Sequence, residues 1–253
     1  MLFKKKAQRI LSVYFSAGYP NLNDTVQVIQ SLENNGVDLL EIGVPFSDPM
    51  ADGPVIQSSG ATALKNGMSL KVLFNQLADV RKTVSIPLVL MSYINPVIQF
   101  GFENYCKEAV KCGIDGLIIP DLPFAEYMES YKSVAEKYGL HMIMLITPET
   151  SEERIRKIDQ NTSGFIYMVS SASVTGAKNV FNNENLEYFR RVNEMDLKNP
   201  RLIGFGISNK ETFESACNES SGAIIGSKFI SLLASEETID DAAKQLVNTL
   251  NPQ

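Results

Sequence analysis

Along the chain, short and almost uniformly apolar runs alternate with longer segments whose apolar residues recur three or four positions apart. The runs cover residues 10–15, 39–43, 88–91, 113–119, 141–146, 164–169, 201–204 and 222–225. A strand apolar on both faces must be covered on both, which is the signature of a parallel sheet flanked by helices. Between the runs lie helical patterns. Val26, Ile29 and Leu32 follow a cap at Asn23 or Asp24 and stop at Gly36, and residues 55–65 and 69–83 continue up to Pro87. Further helices are expected up to Cys112, over 126–138, and from Ser151 with Glu152 and Glu153 in its first turn, whereas 92–100 reads as loop. Eight strand and helix pairs close more readily into a (β/α)8 barrel than into an open doubly wound sheet, which would leave edge strands. No G-x-G-x-x-G follows the first run, which further disfavours the open sheet.

The second run contains an anomaly. Leu39-Leu40-Glu41-Ile42-Gly43 places a carboxylate where burial is costly unless the charge is used. The following segment, 44–54, holds three prolines and a glycine, so it forms a shaped loop, and it carries Asp48 and Asp52. A buried acid at a strand end beside a rigid acid-bearing loop suits an active site. The same residues also suit a strand-end ion pair followed by ordinary Asp-Pro and Asp-Gly turns.

Composition narrows the choice. A chain of 253 residues, 44% hydrophobic and 21% charged, has the size of one α/β barrel, and no compositional break or low-complexity tract marks a boundary. We therefore expect one barrel domain spanning 1–253. The net charge of −6 argues against a nucleic-acid surface, since Lys4-Lys5-Lys6 with Arg9 is the only basic cluster. The N-terminus lacks the form of a signal peptide, and no apolar run approaches the roughly 20 residues needed to span a bilayer. Cys106, Cys112 and Cys217 show no CxxC spacing, which suits reduced thiols in a cytoplasmic protein. With His141 as the single histidine, at the start of an apolar run, neither a histidine metal centre nor a serine triad is expected.

In a barrel the reactive residues lie at the C-terminal ends of strands and in the loops that follow, where Glu41, Asp52, Asp121 and Tyr167 all fall. Gly204-Phe205-Gly206-Ile207-Ser208 after the seventh run and Gly226-Ser227 after the eighth offer bare amides, the second opening a helix, as a phosphate site requires. The long small-residued segment 170–179 has the character of a closing lid.

These segments resemble the α subunit family of tryptophan synthase. The resemblance rests on Ser16-Ala17-Gly18-Tyr19-Pro20, the P-F-S-D-P-x-A-D-G-P core of 45–54, Tyr93-Ile94-Asn95-Pro96, Asp121-Leu122-Pro123, Val174-Thr175-Gly176 and the two glycine loops, in the family's order. Two departures stand out. Few residues precede the first strand, so the family's N-terminal helix is expected to be short. Ser171 and Ser173 occupy positions where many members carry arginine and glycine.

The resemblance implies retro-aldol cleavage of indole-3-glycerol phosphate to indole and glyceraldehyde 3-phosphate. It makes Glu41 the general acid/base and Asp52 the acceptor of the indole N–H, with Tyr167 orienting Glu41 or the leaving fragment. Tyr14, Met91, Tyr93, Ile118 and Thr175 would contact substrate, with Met91 and Ile118 equally readable as core. Gly176, Gly206, Gly226 and Ser227 would hold the phosphate, with Phe205 nearby. No cofactor or metal is implied in this chain. Pyridoxal phosphate is expected only in a partner β subunit, in an α2β2 complex. That partner would dock on 46–50 and 95–100, where Phe46, Pro49, Pro96, Val97 and Ile98 are expected to be exposed. Another phosphate-binding barrel isomerase or epimerase, or a barrel that only activates a partner, are the rival readings.

Overall fold

The computed structural model describes residues 2–170 and 181–250. The lid expected at 170–179, with Ser171, Ser173, Thr175 and Gly176, therefore lies almost wholly outside the described residues. The elements run α1 (Leu2–Lys5), β1 (Ile10–Ser16), α2 (Thr25–Asn34), β2 (Leu39–Gly43), α3 (Pro54–Lys65), α4 (Leu70–Leu77), β3 (Leu88–Met91), α5 (Ile94–Phe100) and α6 (Phe102–Lys111). They continue with β4 (Gly116–Ile118), α7 (Phe124–Glu126), α8 (Lys132–Lys137), β5 (His141–Ile146), α9 (Glu152–Asn161), β6 (Ile166–Val169), α10 (Asn183–Asn193), β7 (Arg201–Gly204), α11 (Lys210–Glu219), β8 (Gly222–Ile225), α12 (Ser227–Ser235) and α13 (Ile239–Leu250). Each strand pairs in parallel with its successor, and β8 pairs with β1, closing the barrel.

Because strand side chains alternate between faces, the apolar runs divide into two cores. Leu11, Val13, Phe15, Leu40, Ile42, Leu88, Leu90, Ile166, Met168 and Ile203 pack outward under the helices. Ile10, Tyr14, Leu39, Val89, Met91, Ile118, Ile143, Tyr167, Leu202 and Ile224 fill the interior. Each fully buried Leu, Ile or Phe contributes about 1.5–3 kcal/mol, so both layers favour closure. By its position in β2 Glu41 belongs to the inner set.

The short α1 answers the question raised by the N-terminus. Leu2 and Phe3 pack against the inner cluster, with the Phe3 ring 6.1 Å from that of Phe165 just ahead of β6. Two of the charged residues that follow it are tied down, Lys6 to Asp38 at 2.5 Å and Arg9 to Glu214.

The strand runs match the expected positions closely, and the differences have local causes. Residues 113–115 are not strand, because Gly113 takes a left-handed φ of 73° and its N–H closes α6 on the Val110 carbonyl. Residues 94–100 form helix α5 rather than loop. Pro96 sits in the first turn, where its missing N–H has no partner to lose, and Asp121 Oδ1 accepts the Ile94 N–H at 2.8 Å. The helix expected over 126–138 is interrupted by a π turn, Tyr127–Tyr131. The three cysteines are buried and unpaired, and burial raises their thiols to about 11 or 12, so they act as packing. His141 is exposed at the start of β5, 2.8 Å from Ser163 Oγ.

Candidate active site

Glu41 is fully enclosed. Ser12, two residues ahead of Tyr14 on β1, donates to its Oε1 at 3.1 Å, while Oε2 is buried without a partner among the described residues. Burial lifts the carboxyl to about 8, only partly opposed by the Ser12 bond, so at neutral pH it carries its proton. Two tyrosines stand beside it. Tyr14 is its register partner on β1, and its ring occupies space that exists because Gly43 has no Cβ. Tyr167 on β6 uses Gly204 on β7 in the same way. Burial raises both hydroxyls well above the ordinary tyrosine value, with further contributions from the charges of Glu41 and Asp52.

Asp52 lies on the loop after β2, almost buried. Tyr93 holds it: the hydroxyl donates to Asp52 Oδ2 at 3.1 Å and accepts the Ala51 N–H at 2.9 Å. Gln57 on α3 donates to the Asp52 carbonyl at 2.8 Å, and Phe46 stacks on Tyr93 with centroids 5.2 Å apart. Burial lifts the carboxyl to about 6, the Tyr93 bond opposing, so Asp52 is mostly ionised at neutrality. The two acids thus differ in protonation because one is sealed in the barrel and the other is solvated by a hydroxyl at its edge.

A cavity of about 290 Å³ opens at the C-terminal ends of the strands, near the lower limit for a ligand site. Tyr14, Asp52, Met91 and Tyr167 wall one part of it, with Val55, Ile56 and Ile224. Phe205, Gly206, Ile207, Ser208, Gly226, Ser227, Lys228 and Ser231 line the rest. Phe205 and Gly206 both have left-handed φ, 69° and 77°. For Phe205 that is a strained conformation, held by the Ser170 hydroxyl donating to its carbonyl at 2.8 Å and by an edge-on contact with Tyr167. The helices α3 and α12 both begin at this cavity after a glycine, with no side chain capping them. By contrast α10 and α11 carry full asparagine capping boxes. The uncapped amides of α12 are available to an anion.

The chain that folds into this barrel matches the family model described as Tryptophan synthase alpha chain over residues 2–252. The chain belongs to the tryptophan synthase alpha chain family. A relative from Parabacteroides distasonis is 59% identical over 249 residues, covering 98% of this chain and 97% of that one. One from Flavobacterium psychrophilum is 62% identical over 223 residues, covering 88% of each. The solved α subunit of tryptophan synthase from Pyrococcus furiosus superposes with a TM-score of 0.87 at 31% identity, covering 96% of this chain and 98% of that chain.

Within this tryptophan synthase alpha chain fold, the residues singled out from sequence fall into distinct places. Tyr14, Asp52, Met91, Tyr167, Phe205, Gly206, Gly226 and Ser227 meet on the cavity. Glu41 stands behind Tyr14 and Tyr167 without contributing to the wall, and Ile118 is fully buried in the inner core. Tyr93 is set behind Asp52 as an anchor of its loop. Asp121, a strand-end acid, serves α5. Val55, Ile56, Lys228 and Ser231 were not singled out, although Lys228 directly follows the Gly226-Ser227 pair.

The rim expected to meet the β subunit needs one correction. Val97 is fully buried, because α5 turns it inward, and Phe46, Pro49 and Pro96 are half-buried, Phe46 against Tyr93. The apolar groups that remain exposed there are Ile98, 53% exposed, and Met50, 88% exposed.

Proposed function

We propose that Glu41 and Asp52 divide the proton and charge work of the family's reaction, the cleavage of indole-3-glycerol phosphate to indole and glyceraldehyde 3-phosphate. The bond that breaks joins indole C3 to the hydroxyl-bearing carbon of the glycerol chain. Protonated Glu41 gives its proton to C3, leaving positive charge on the ring nitrogen. Ionised Asp52 accepts the N–H and stabilises that charge. The carbon–carbon bond then cleaves, its electron pair returning to the ring. The hydroxyl proton goes to the Glu41 carboxylate as the carbonyl forms, so each turnover restores the starting acid. The ring itself is the electron sink and the chemistry calls for no cofactor in this chain, pyridoxal phosphate belonging to the β subunit.

The observation that carries the assignment is the contrast between the two carboxyls: Glu41 sealed with one oxygen unpartnered, Asp52 on the cavity wall with Tyr93 behind it. The Ser12 bond is the one hydrogen bond among the described residues that Glu41 gives up in turning to the substrate. The phosphate is held by the amides of Gly206, Gly226 and Ser227, which line the cavity; Thr175 and Gly176, expected to join them, lie outside the described residues. We place the work in one barrel domain in the cytoplasm; no helix among the described residues is long and apolar enough to cross a membrane.

The chain alone should release indole from indole-3-glycerol phosphate. Saturating tryptophan synthase β subunit should raise that rate, because docking at Met50 presses on the loop that carries Asp52. A rate unchanged by partner, with no complex in sedimentation, would contradict the coupling, and no indole release in either case would contradict the assignment of the acids.

A further inference from the structure

We propose that Lys228 is an ionic ligand of the substrate's phosphate, so that anchoring at this site depends on a side-chain charge as well as on backbone amides. The proposal rests on the reading of the Gly206 and Gly226 end of the cavity as the phosphate site.

Lys228 is the second residue of α12 and one of two charged residues lining the cavity among those described, the other being Asp52. It is half-buried. It makes no hydrogen bond or ion pair among the described residues, whereas Lys6, Lys111, Lys137, Lys157 and Lys244 each hold a carboxylate. Asp52 forms no ion pair with it and bonds Tyr93 instead. The place is electrostatically poor for a cation: the first turn of a helix carries the positive end of the dipole, and no side chain caps α12 to offset it. A cation lining a cavity beside these amides is stabilised by an anionic group that bonds the amides and the ammonium together, and most by a dianion such as a phosphate. The neighbouring hydroxyl of Ser231 donates to the Ser227 carbonyl at 2.9 Å and is committed to the helix, so the side-chain donors of this turn without a partner among the described residues are the Ser227 hydroxyl and the Lys228 ammonium, of which only the second carries charge.

The contact is made to a part of the substrate that does not react, so it stabilises ground and transition states alike and its loss falls on KM rather than on kcat. Lys228→Ala should raise KM for indole-3-glycerol phosphate by about tenfold and weaken glycerol 3-phosphate binding by a similar factor, the usual scale of a charge-assisted hydrogen bond at a partly open site. Lys228→Arg should recover most of both. Sodium chloride should raise the KM of the unaltered chain and affect Lys228→Ala much less, because screening acts on the charge that the variant lacks.

The experiment measures glycerol 3-phosphate affinity calorimetrically, and KM at low and high salt, for the unaltered chain, Lys228→Ala, Lys228→Arg and Gly226→Val. In the last variant a side chain meets Tyr14 at the mouth of the amide site. Weakened binding in Lys228→Ala, restored by arginine and accompanied by a flattened salt response, supports the proposal. Unchanged binding in Lys228→Ala with loss in Gly226→Val overturns the role of Lys228 and leaves the phosphate site standing. Unchanged binding in both overturns the proposal together with the phosphate reading.

Discussion

Glu41→Gln should lower kcat for indole release by about 10²–10⁴-fold, the usual cost of deleting a general acid/base, while glycerol 3-phosphate still binds with near-normal affinity. The two readouts separate because of where the groups lie. Glu41 is inside the barrel beside Tyr14 and Tyr167, and the proposed anion site lies at the loops after β7 and β8, which line the cavity. Glutamine keeps the size of the side chain and an acceptor for the Ser12 hydroxyl, so the cavity keeps its shape. A variant with near-normal turnover would remove Glu41 from the chemistry. A variant that had also lost glycerol 3-phosphate would point to a disturbed fold instead.

The same substitution should stabilise the protein in alkaline solution. An ordinary glutamate ionises near 4.5, and in the folded chain burial moves Glu41 to about 8. Between those values the folded state binds the proton that the unfolded state has released, so stability falls as pH rises from about 4.5 and the loss is complete above about 8. Glutamine has no proton to lose. The variant should therefore match the parent at pH 4, where both side chains are neutral. At pH 9 it should exceed the parent by on the order of 5 kcal/mol, or roughly 10–20 °C in thermal midpoint for a chain of this size. Asp52, raised to about 6, adds a smaller loss of the same sign at lower pH in both proteins. Midpoints that run parallel from pH 4 to pH 9 would show that Glu41 is ionised without cost in the folded state.

The barrel was legible because a strand covered on both faces has to be apolar throughout, and eight such runs leave little other choice. Glu41 was legible for the converse reason, as a charge in a run that excludes charge. Its surroundings were not. That Gly43 and Gly204 are vacant so that Tyr14 and Tyr167 fit is a relation between neighbouring strands, and both glycines read along the chain as ordinary strand ends. Tyr93 sits in a recognisable motif, yet only the folded loop shows that it grips Asp52. Helix α5 was hidden by Pro96, which reads as a breaker unless the helix start is known to lie two residues earlier. The burial of Val97 follows from that helix. Lys228 escaped notice because Gly-Ser after a strand is a common turn, and the charge beside it becomes meaningful only when α12 is seen to open on the cavity.

The central claim is that Glu41 enters the reaction protonated and Asp52 ionised, and the pH dependence of kcat/KM for indole release by the chain alone tests it most directly. That quantity reports groups of the free protein. It should rise as Asp52 ionises through about pH 6, level off near neutrality, and fall above about pH 8 as Glu41 loses its proton. The alkaline limb is the decisive part, because the substrate phosphate is already fully ionised there. A profile that stays flat from pH 7 to pH 9.5 would mean that Glu41 acts as a carboxylate from the start, and would contradict the account.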